Sequence, residues 1–263
     1  PRMAQTVLCP GYIAKGEESV TANDMTAMTG YEPIKFVSTA AHSGASKGTS
    51  DWPLFRTAEV YLNYAEAKAE LGTLTKDDLL ISIDRIRDRA GMKGLDMAAA
   101  NANPDPFLLA CYPNVTKSEN TGVILEIRRE RTIELVMEGL RMWDMFRWKE
   151  GAQLVNETNP YYGIYFSGPG LYDMDGDGRN DLELYVDKQT SSPADGLTVL
   201  RIGSDIILSD MAENRGYVVA WSTLKYTWNE ERDYLWPIPA DQRVLTGGLL
   251  TQNPGWTDST DFD

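Results

Sequence analysis

Residues 124–150, ILEIRRERTIELVMEGLRMWDMFRWKE, constrain this chain more than any other stretch. They contain no proline, a single glycine and mostly good helix formers, which predicts one long helix or two abutting ones. Ile133, Val136, Met137, Leu140 and Trp143 recur at three- and four-residue steps, the spacing of one apolar helix face. Beside it Glu138, Arg141, Asp144 and Arg147 form a ladder of alternating charge at i,i+3. On an open helix such pairs add only about 0.2–0.5 kcal/mol each. Flanked by Trp143, Phe146 and Trp148, some of these charges must lie beside bulky apolar groups, where a buried arginine needs bidentate pairing; a solvated face is the equal alternative from the pattern alone. Glu138, Arg141 and Asp144 are therefore expected to be largely buried and mutually bonded. Gly139 costs about 1 kcal/mol relative to alanine inside a helix, so it marks a kink or a close backbone contact. Nothing in the stretch is a catalytic constellation. It reads as a structural keystone.

Residues 51–72, DWPLFRTAEVYLNYAEAKAELG, predict a second helical element, with Asp51 as cap, Pro53 in the first turn and Gly72 as stop. Ala58, Ala65 and Ala69 alternate with Tyr61, Leu62 and Leu71, as in a helix packed closely on a neighbour. Thr75 and Asp78 then stand at capping-box spacing, with Asp in place of the usual Glu. Leu79, Ile83, Ile86 and Ala90 make the stripe of the helix that follows, and Gly91 ends it. The two make a helical hairpin over residues 51–92, of the size used by tetratricopeptide repeats, with no second copy in the chain.

The remaining segments are less regular. Residues 1–50 read as irregular, with a short strand around 34–37. Residues 91–121 are loop-rich, with a short helical piece near Phe107–Cys111. Beyond the keystone (123–150), residues 151–231 turn to aromatics, glycines and alternating runs such as Leu182–Val186, the pattern of a loop or β-hairpin insertion. Residues 232–263 form a mixed aromatic tail.

Composition narrows the function. A formal net charge of −14 argues against nucleic-acid binding, which needs a basic surface. Hydrophobic residues make up 42% of the 263, enough for a real core, but no run approaches the roughly 18 apolar residues a membrane helix needs. Cys9 and Cys111 match no metal or redox spacing and leave their disulfide state open. The chain opens PRMAQTVLCPG, without a basic or apolar leader, and is expected to be a piece of a longer protein. A serine–histidine–acid triad would have to use His42, beside Ser43 and Ser46 in a small-residue loop, where an idle exposed histidine is the expectation. No acid pair stands out for glycoside hydrolysis.

Three separated motifs, WPLFRTAEVYLNYAEAKAELG, RRERTIELVMEGLRMWDMFRW and YLWPIPADQRVLTGGLLTQNPGW, occur in that order. Over roughly residues 51–150 and 232–256 the chain resembles the C-terminal half of SusD/RagB-family proteins, surface lipoproteins of the outer membrane in Bacteroidetes-type bacteria. The resemblance implies a mainly α-helical, SusD-like fold whose tetratricopeptide-like hairpins carry ligand-capturing loops. It implies a non-enzymatic protein that takes up oligosaccharide, polysaccharide or other nutrient and sits as a lid on a TonB-dependent transporter. The chain departs from the family in lacking the signal peptide, the lipid-anchor cysteine and the N-terminal half. Trp143, Trp148 and Trp236 fall inside the motifs and are expected in the core. The alternative is a helical-repeat adaptor that binds only protein.

Independently of the family, residues 173–181 spell D-x-D-G-D-G-x-x-D. Ca²⁺ takes six to eight hard oxygens, and carboxylates at alternate positions around a glycine-permitted turn supply them. Asp173, Asp175 and Asp177 are the expected ligands, joined by the carbonyl of Arg179 and the side chain of Asp181. The glutamate that would complete an EF-hand is absent, since Leu184 stands in its place. This predicts a structural, dockerin-like or thrombospondin-like calcium loop. For saccharide contact the candidates are Tyr161, Tyr162 and Tyr165, with Asn156 and Asn159 nearby, although structural burial explains such tyrosines more often than ligand contact does.

Overall fold

A computed structural model describes residues 2–42, 46–49, 51, 53–155, 161–221, 223 and 227–257. The chain divides into two compact units, one of Thr57–Arg87, Lys93–Glu157 and Lys225–Asp263, the other of Pro1–Arg56, Asp88–Met92 and Thr158–Leu224.

The first unit is helical. Helix α1 (Thr57–Glu70) begins six residues later than Asp51, because the irregular stretch through Pro53 is not taken into the helix. It buries Ala58, Leu62, Ala65 and Ala69, while Leu71 lies outside. At its end Gly72 N–H bonds the Ala69 carbonyl and Thr73 N–H the Lys68 carbonyl, a Schellman closure. Thr75 and Asp78 form the expected capping box of α2 (Lys76–Ile81). A break at Ser82, whose hydroxyl bonds the Asp78 carbonyl, separates α2 from α3 (Ile83–Arg89). The stripe Leu79, Ile83, Ile86 and Ala90 is nevertheless buried throughout. Two short helices follow, α4 (Met97–Ala102) and α5 (Pro106–Cys111), each N-capped by an aspartate, Asp96 and Asp105. Residues 34–37 form no strand; the pairing there is an isolated bridge between Val7 and Pro33 in the other unit.

The keystone is two helices, α6 (Thr121–Glu134) and α7 (Arg141–Arg147). Met137 and Gly139 both adopt positive φ, +64° and +76°, so the chain turns out of the helix between them. That turn rotates everything downstream, and a stripe counted through it cannot lie on one face. Met137 and Trp143 are accordingly 48% and 53% exposed, and the core is built from Val123, Ile124, Leu125, Ile127, Leu135, Met145 and Trp148. Trp236 is also exposed; its segment is held through the backbone, with Asn253 Nδ2 donating to the Trp236 carbonyl. Helix α8 (Ala240–Leu245) lies in the tail.

The ionic network is real but differs in membership from the ladder. Asp144 is buried and accepts from Arg131 Nε at 2.6 Å and Arg147 Nη2 at 2.9 Å. Arg147 also grips Glu66 of α1 bidentately, at 2.6 and 2.9 Å, and Trp148 Nε1 donates to the same carboxylate at 2.6 Å. Burial opposes ionisation of Glu66, yet the Arg147 and Trp148 bonds hold its carboxyl below the usual range. Arg128 is buried against the faces of Trp148 and Tyr112, 4.6 and 5.6 Å from their centroids. Arg141, by contrast, is exposed and donates to Tyr112 Oη and Thr132 Oγ1. The reason is again the turn at 135–140: Asp144 is paired by Arg131 of α6 and by Arg147 of the next turn of α7, and not by Arg141 of the preceding turn.

The second unit is mostly strands. Sheet one has the order β1 (Tyr162–Phe166), β6 (Arg215–Val219), β5 (Leu208–Asp210), all antiparallel. Sheet two has the order β2 (Gly170–Tyr172), β3 (Leu182–Tyr185), β4 (Thr198–Arg201), with β2–β3 antiparallel and β3–β4 parallel. Phe166, Leu182, Leu184, Ile202, Ile206, Leu208 and Val218 form its core. β3 is not the half-exposed strand that alternation predicts, because Glu183 is buried too. Its carboxylate accepts from Thr190 N–H and Oγ1 and from Ser191 N–H, which clamps the β3–β4 connection.

Candidate functional site

The acidic loop is the turn of the β2–β3 hairpin, closed at its base by Asp181 N–H donating to the Tyr172 carbonyl. Gly176 and Gly178 take φ of +82° and +89°, values that side-chain-bearing residues rarely adopt. One carboxylate oxygen each from Asp173, Asp175 and Asp177 lies within 4.8 Å of the others. Two oxygens bound to one Ca²⁺ at 2.3–2.6 Å can be at most about 5 Å apart, so these three fit a single ion. Asp181 is outside that group; its Oδ2 accepts from the N–H groups of Met174 and Asp175. Arg179 is exposed and its N–H donates to Asp177 Oδ1. Asp175 is the buried member, and its carbonyl accepts from Gly11 N–H at 2.7 Å, fastening the loop to residues 10–11. Burial first, and then the charges of Asp181, Asp177 and Asp173, push its carboxyl above the ordinary range. A cation would relieve both.

Sheet one carries the aromatic site. A bulge between Tyr162 and Tyr165 in β1 puts both rings on the side of Tyr217 in β6. Tyr162 stacks on Tyr217 at 5.4 Å with 12° between planes, and Tyr165 meets it edge-on at 5.2 Å. Tyr165 and Tyr217 are about half exposed, at 55% and 46%. Tyr161 precedes the strand, also exposed, at a φ of +39°. Beneath, Gly163 lets the Thr29 carbonyl approach within 2.1 Å of where a Cβ would stand, and Ile164 N–H bonds that carbonyl. Tyr217 is not marked by the sequence, since Arg215–Val219 shows no polar–apolar alternation; burial alternates along the strand only in the fold and leaves Tyr217 exposed. Asn156 and Asn159 lie outside the described residues, as does Ser43. His42 is exposed, with Nδ1 3.1 Å from Thr39 Oγ1. Cys9 and Cys111 are both free thiols.

This geometry defines a class: a helical unit locked by buried ion pairs, together with a small β unit presenting an exposed aromatic face and an acidic hairpin loop. The sequence matches the SusD family over residues 4–256, well beyond the three motifs, and the chain belongs to that family. A SusD-like protein from Bacteroides fragilis shares the fold at a TM-score of 0.52 and 22% identity, over 97% of this chain and 39% of that one. A SusD-like carbohydrate binding protein from the same organism aligns over 93% of this chain and 40% of that one, at a TM-score of 0.48 and 22% identity. The chain thus spans about two fifths of the length of these structures. No curated protein matches the sequence. Among the described residues no helix is long and apolar enough to cross a membrane.

Proposed function

We propose that this chain belongs to a non-catalytic glycan-capturing protein of the bacterial outer-membrane surface, a lipoprotein that delivers its ligand to a TonB-dependent transporter. The single observation that carries the reading is the exposed face of Tyr162, Tyr217 and Tyr165, built on a hydrogen-bonded sheet in a member of the SusD family. Aromatic faces held rigidly at a surface offer large contact area at little entropic cost. Tyr161 extends the face at its entry. The α1–α3 hairpin serves as a tetratricopeptide-like scaffold. Ca²⁺ bound by Asp173, Asp175 and Asp177, with Asp181 and the Arg179 carbonyl completing the shell, orders the β2–β3 hairpin, a structural role.

Affinity electrophoresis of the full chain in polysaccharide gels tests the proposal. Retardation by at least one neutral polysaccharide, lost in Tyr217→Ala, is the expected result. Release of reducing ends from a bound oligosaccharide, abolished by changing one carboxylate, would refute the non-catalytic reading. Co-purification of the full-length protein with a TonB-dependent transporter checks the partner.

A further inference from the structure

Three segments of the helical unit meet at Glu150, just beyond the end of α7. Asn114 holds on with two bonds: its N–H donates to Glu150 Oε1 at 2.9 Å and its Nδ2 to the Lys149 carbonyl. From the tail, the Tyr234 hydroxyl accepts the Gly151 N–H at 3.0 Å. Trp228 packs so close that a Cβ on Gly151 would stand 1.9 Å from its ring. The Glu150 N–H itself closes α7 onto the Met145 carbonyl at 2.8 Å. One side chain stands at the centre of this junction, and it is 0% exposed.

The Glu150 carboxylate is poorly matched to that place. Oε1 accepts the Asn114 N–H, but Oε2 is buried with no hydrogen-bond partner among the described residues. Arg128 of α6 supplies the countercharge, yet its Nη1 stands 3.8 Å from Oε1, beyond hydrogen-bond distance. Its Nη2 is committed elsewhere, to Glu70 of α1 at 3.4 Å. Lys117, on the Asn114 side, favours the anion, and Glu230, on the tail side, opposes it. Lys149 turns to the Tyr234 ring, 4.3 Å from its centroid. Burial outweighs the Asn114 bond and the Arg128 charge, and pushes the carboxyl above its ordinary 4.5.

We propose that Glu150 makes this junction an acid-tightened latch: taking up one proton strengthens the hold of the end of α7 on Asn114 and on the 228–234 segment, and releasing it loosens that hold. Neutralisation removes the cost of a buried charge with an incomplete set of bonds, while Oε1 still accepts the Asn114 N–H as a carbonyl. The folded chain binds this proton more tightly than the unfolded chain does. The gain is therefore complete below about pH 4.5 and is lost as pH rises from there through the folded value.

Carbon-13 NMR of the Glu150 carboxyl in the whole chain reads the proton directly, with a midpoint expected above 4.5. In urea unfolding, the folding constant of wild type relative to Glu150→Gln should fall by up to about tenfold per pH unit inside the window and stay constant above it. The Asn114 and Gly151 amides, corrected for intrinsic rates, should exchange more slowly in acid than at neutral pH in wild type and not in Glu150→Gln. That local readout separates a latch from a general effect of pH on the fold. A midpoint at or below 4.5, or a difference between wild type and variant that does not change with pH, would overturn the proposal. If Glu150→Gln misfolds, wild type alone decides: a midpoint above 4.5 without acid slowing at Asn114 and Gly151 overturns the latch.

Discussion

Arg131→Met should destabilise the helical unit by about 3 kcal/mol, and adding Asp144→Leu should restore most of that loss. The two side chains are each only 4% exposed and meet at 2.6 Å, so solvent screening cannot soften the loss of one partner. Removing one member of a buried pair typically costs about 3–5 kcal/mol, because the other charge stays uncompensated. The low end applies here, since Asp144 keeps Arg147 Nη2 at 2.9 Å. The loss also deprives Asn63 Oδ1 of the Arg131 Nη1 donor at 2.6 Å. With Asp144→Leu both charges are gone, and apolar replacement of a whole buried pair is often close to neutral. Arg147 retains its two bonds to Glu66 in that variant.

Urea unfolding of the four proteins yields the coupling energy directly, expected at about 2 kcal/mol. By melting, about 3 kcal/mol corresponds to roughly 6–12 °C at this chain length. Arg141→Met is the control: Arg141 is exposed and donates to the Tyr112 and Thr132 hydroxyls, not to a buried carboxylate, so its loss should shift stability by less than about 1 kcal/mol. A larger loss in Arg141→Met than in Arg131→Met, or an Arg131→Met within 1 kcal/mol of wild type, would refute the assigned network.

Glu183 makes a pH test: burial opposes its ionisation, but the bonds from Thr190 and Ser191 prevail and hold its pKa at about 2, below the ordinary 4.5. Its depressed pKa stabilises the fold fully above about pH 4.5 and is lost as pH falls toward about 2, so the melting difference between wild type and Glu183→Gln should be constant at neutral pH and vanish across that window. Gly122→Ala should destabilise by about 1–3 kcal/mol in urea, since its Cβ would stand 1.8 Å from the Ala100 carbonyl oxygen where α6 crosses α4. Calorimetric titration with Ca²⁺ should show one site in the wild type, none in Asp175→Ala with Asp177→Ala, and weak heat with Mg²⁺, which takes its crowded ligands poorly.

The sequence is a good guide wherever the physics is local. The Thr75–Asp78 box, the Gly72 stop and the Leu79–Ala90 stripe each depend on neighbours a few residues apart, and each forms. It misleads where a backbone turn intervenes, as at Met137 and Gly139, because a periodic count assumes one uninterrupted axis. It is blind to pairings set by distant packing: Glu66 and Arg147 are far apart in sequence, and Tyr217 reaches Tyr165 only through strand register. The acidic loop was legible because its spacing, its glycines and its three converging carboxylates all lie within one hairpin turn.

The two units treat buried carboxylates differently, and that difference bears on the calcium proposal. In the helical unit the chain supplies the countercharge itself: Arg131 for Asp144, Arg147 for Glu66, Arg87 for Glu130 at 3.1 Å, and Arg128 for Glu150 at 3.8 Å. In the β unit Glu183 has no such cation among the described residues but is satisfied by three hydrogen bonds from the 190–191 loop. Among the described residues Asp175 has neither solution. Its carboxylate accepts one N–H, from Asp177, and stands among three other aspartates that raise its pKa together with burial. A buried carboxylate in that position is stabilised by protonation or by a cation from outside the chain. On the calcium proposal, a divalent ion held at neutral pH by Asp173, Asp175 and Asp177 would do for this hairpin what the arginines do for the helices.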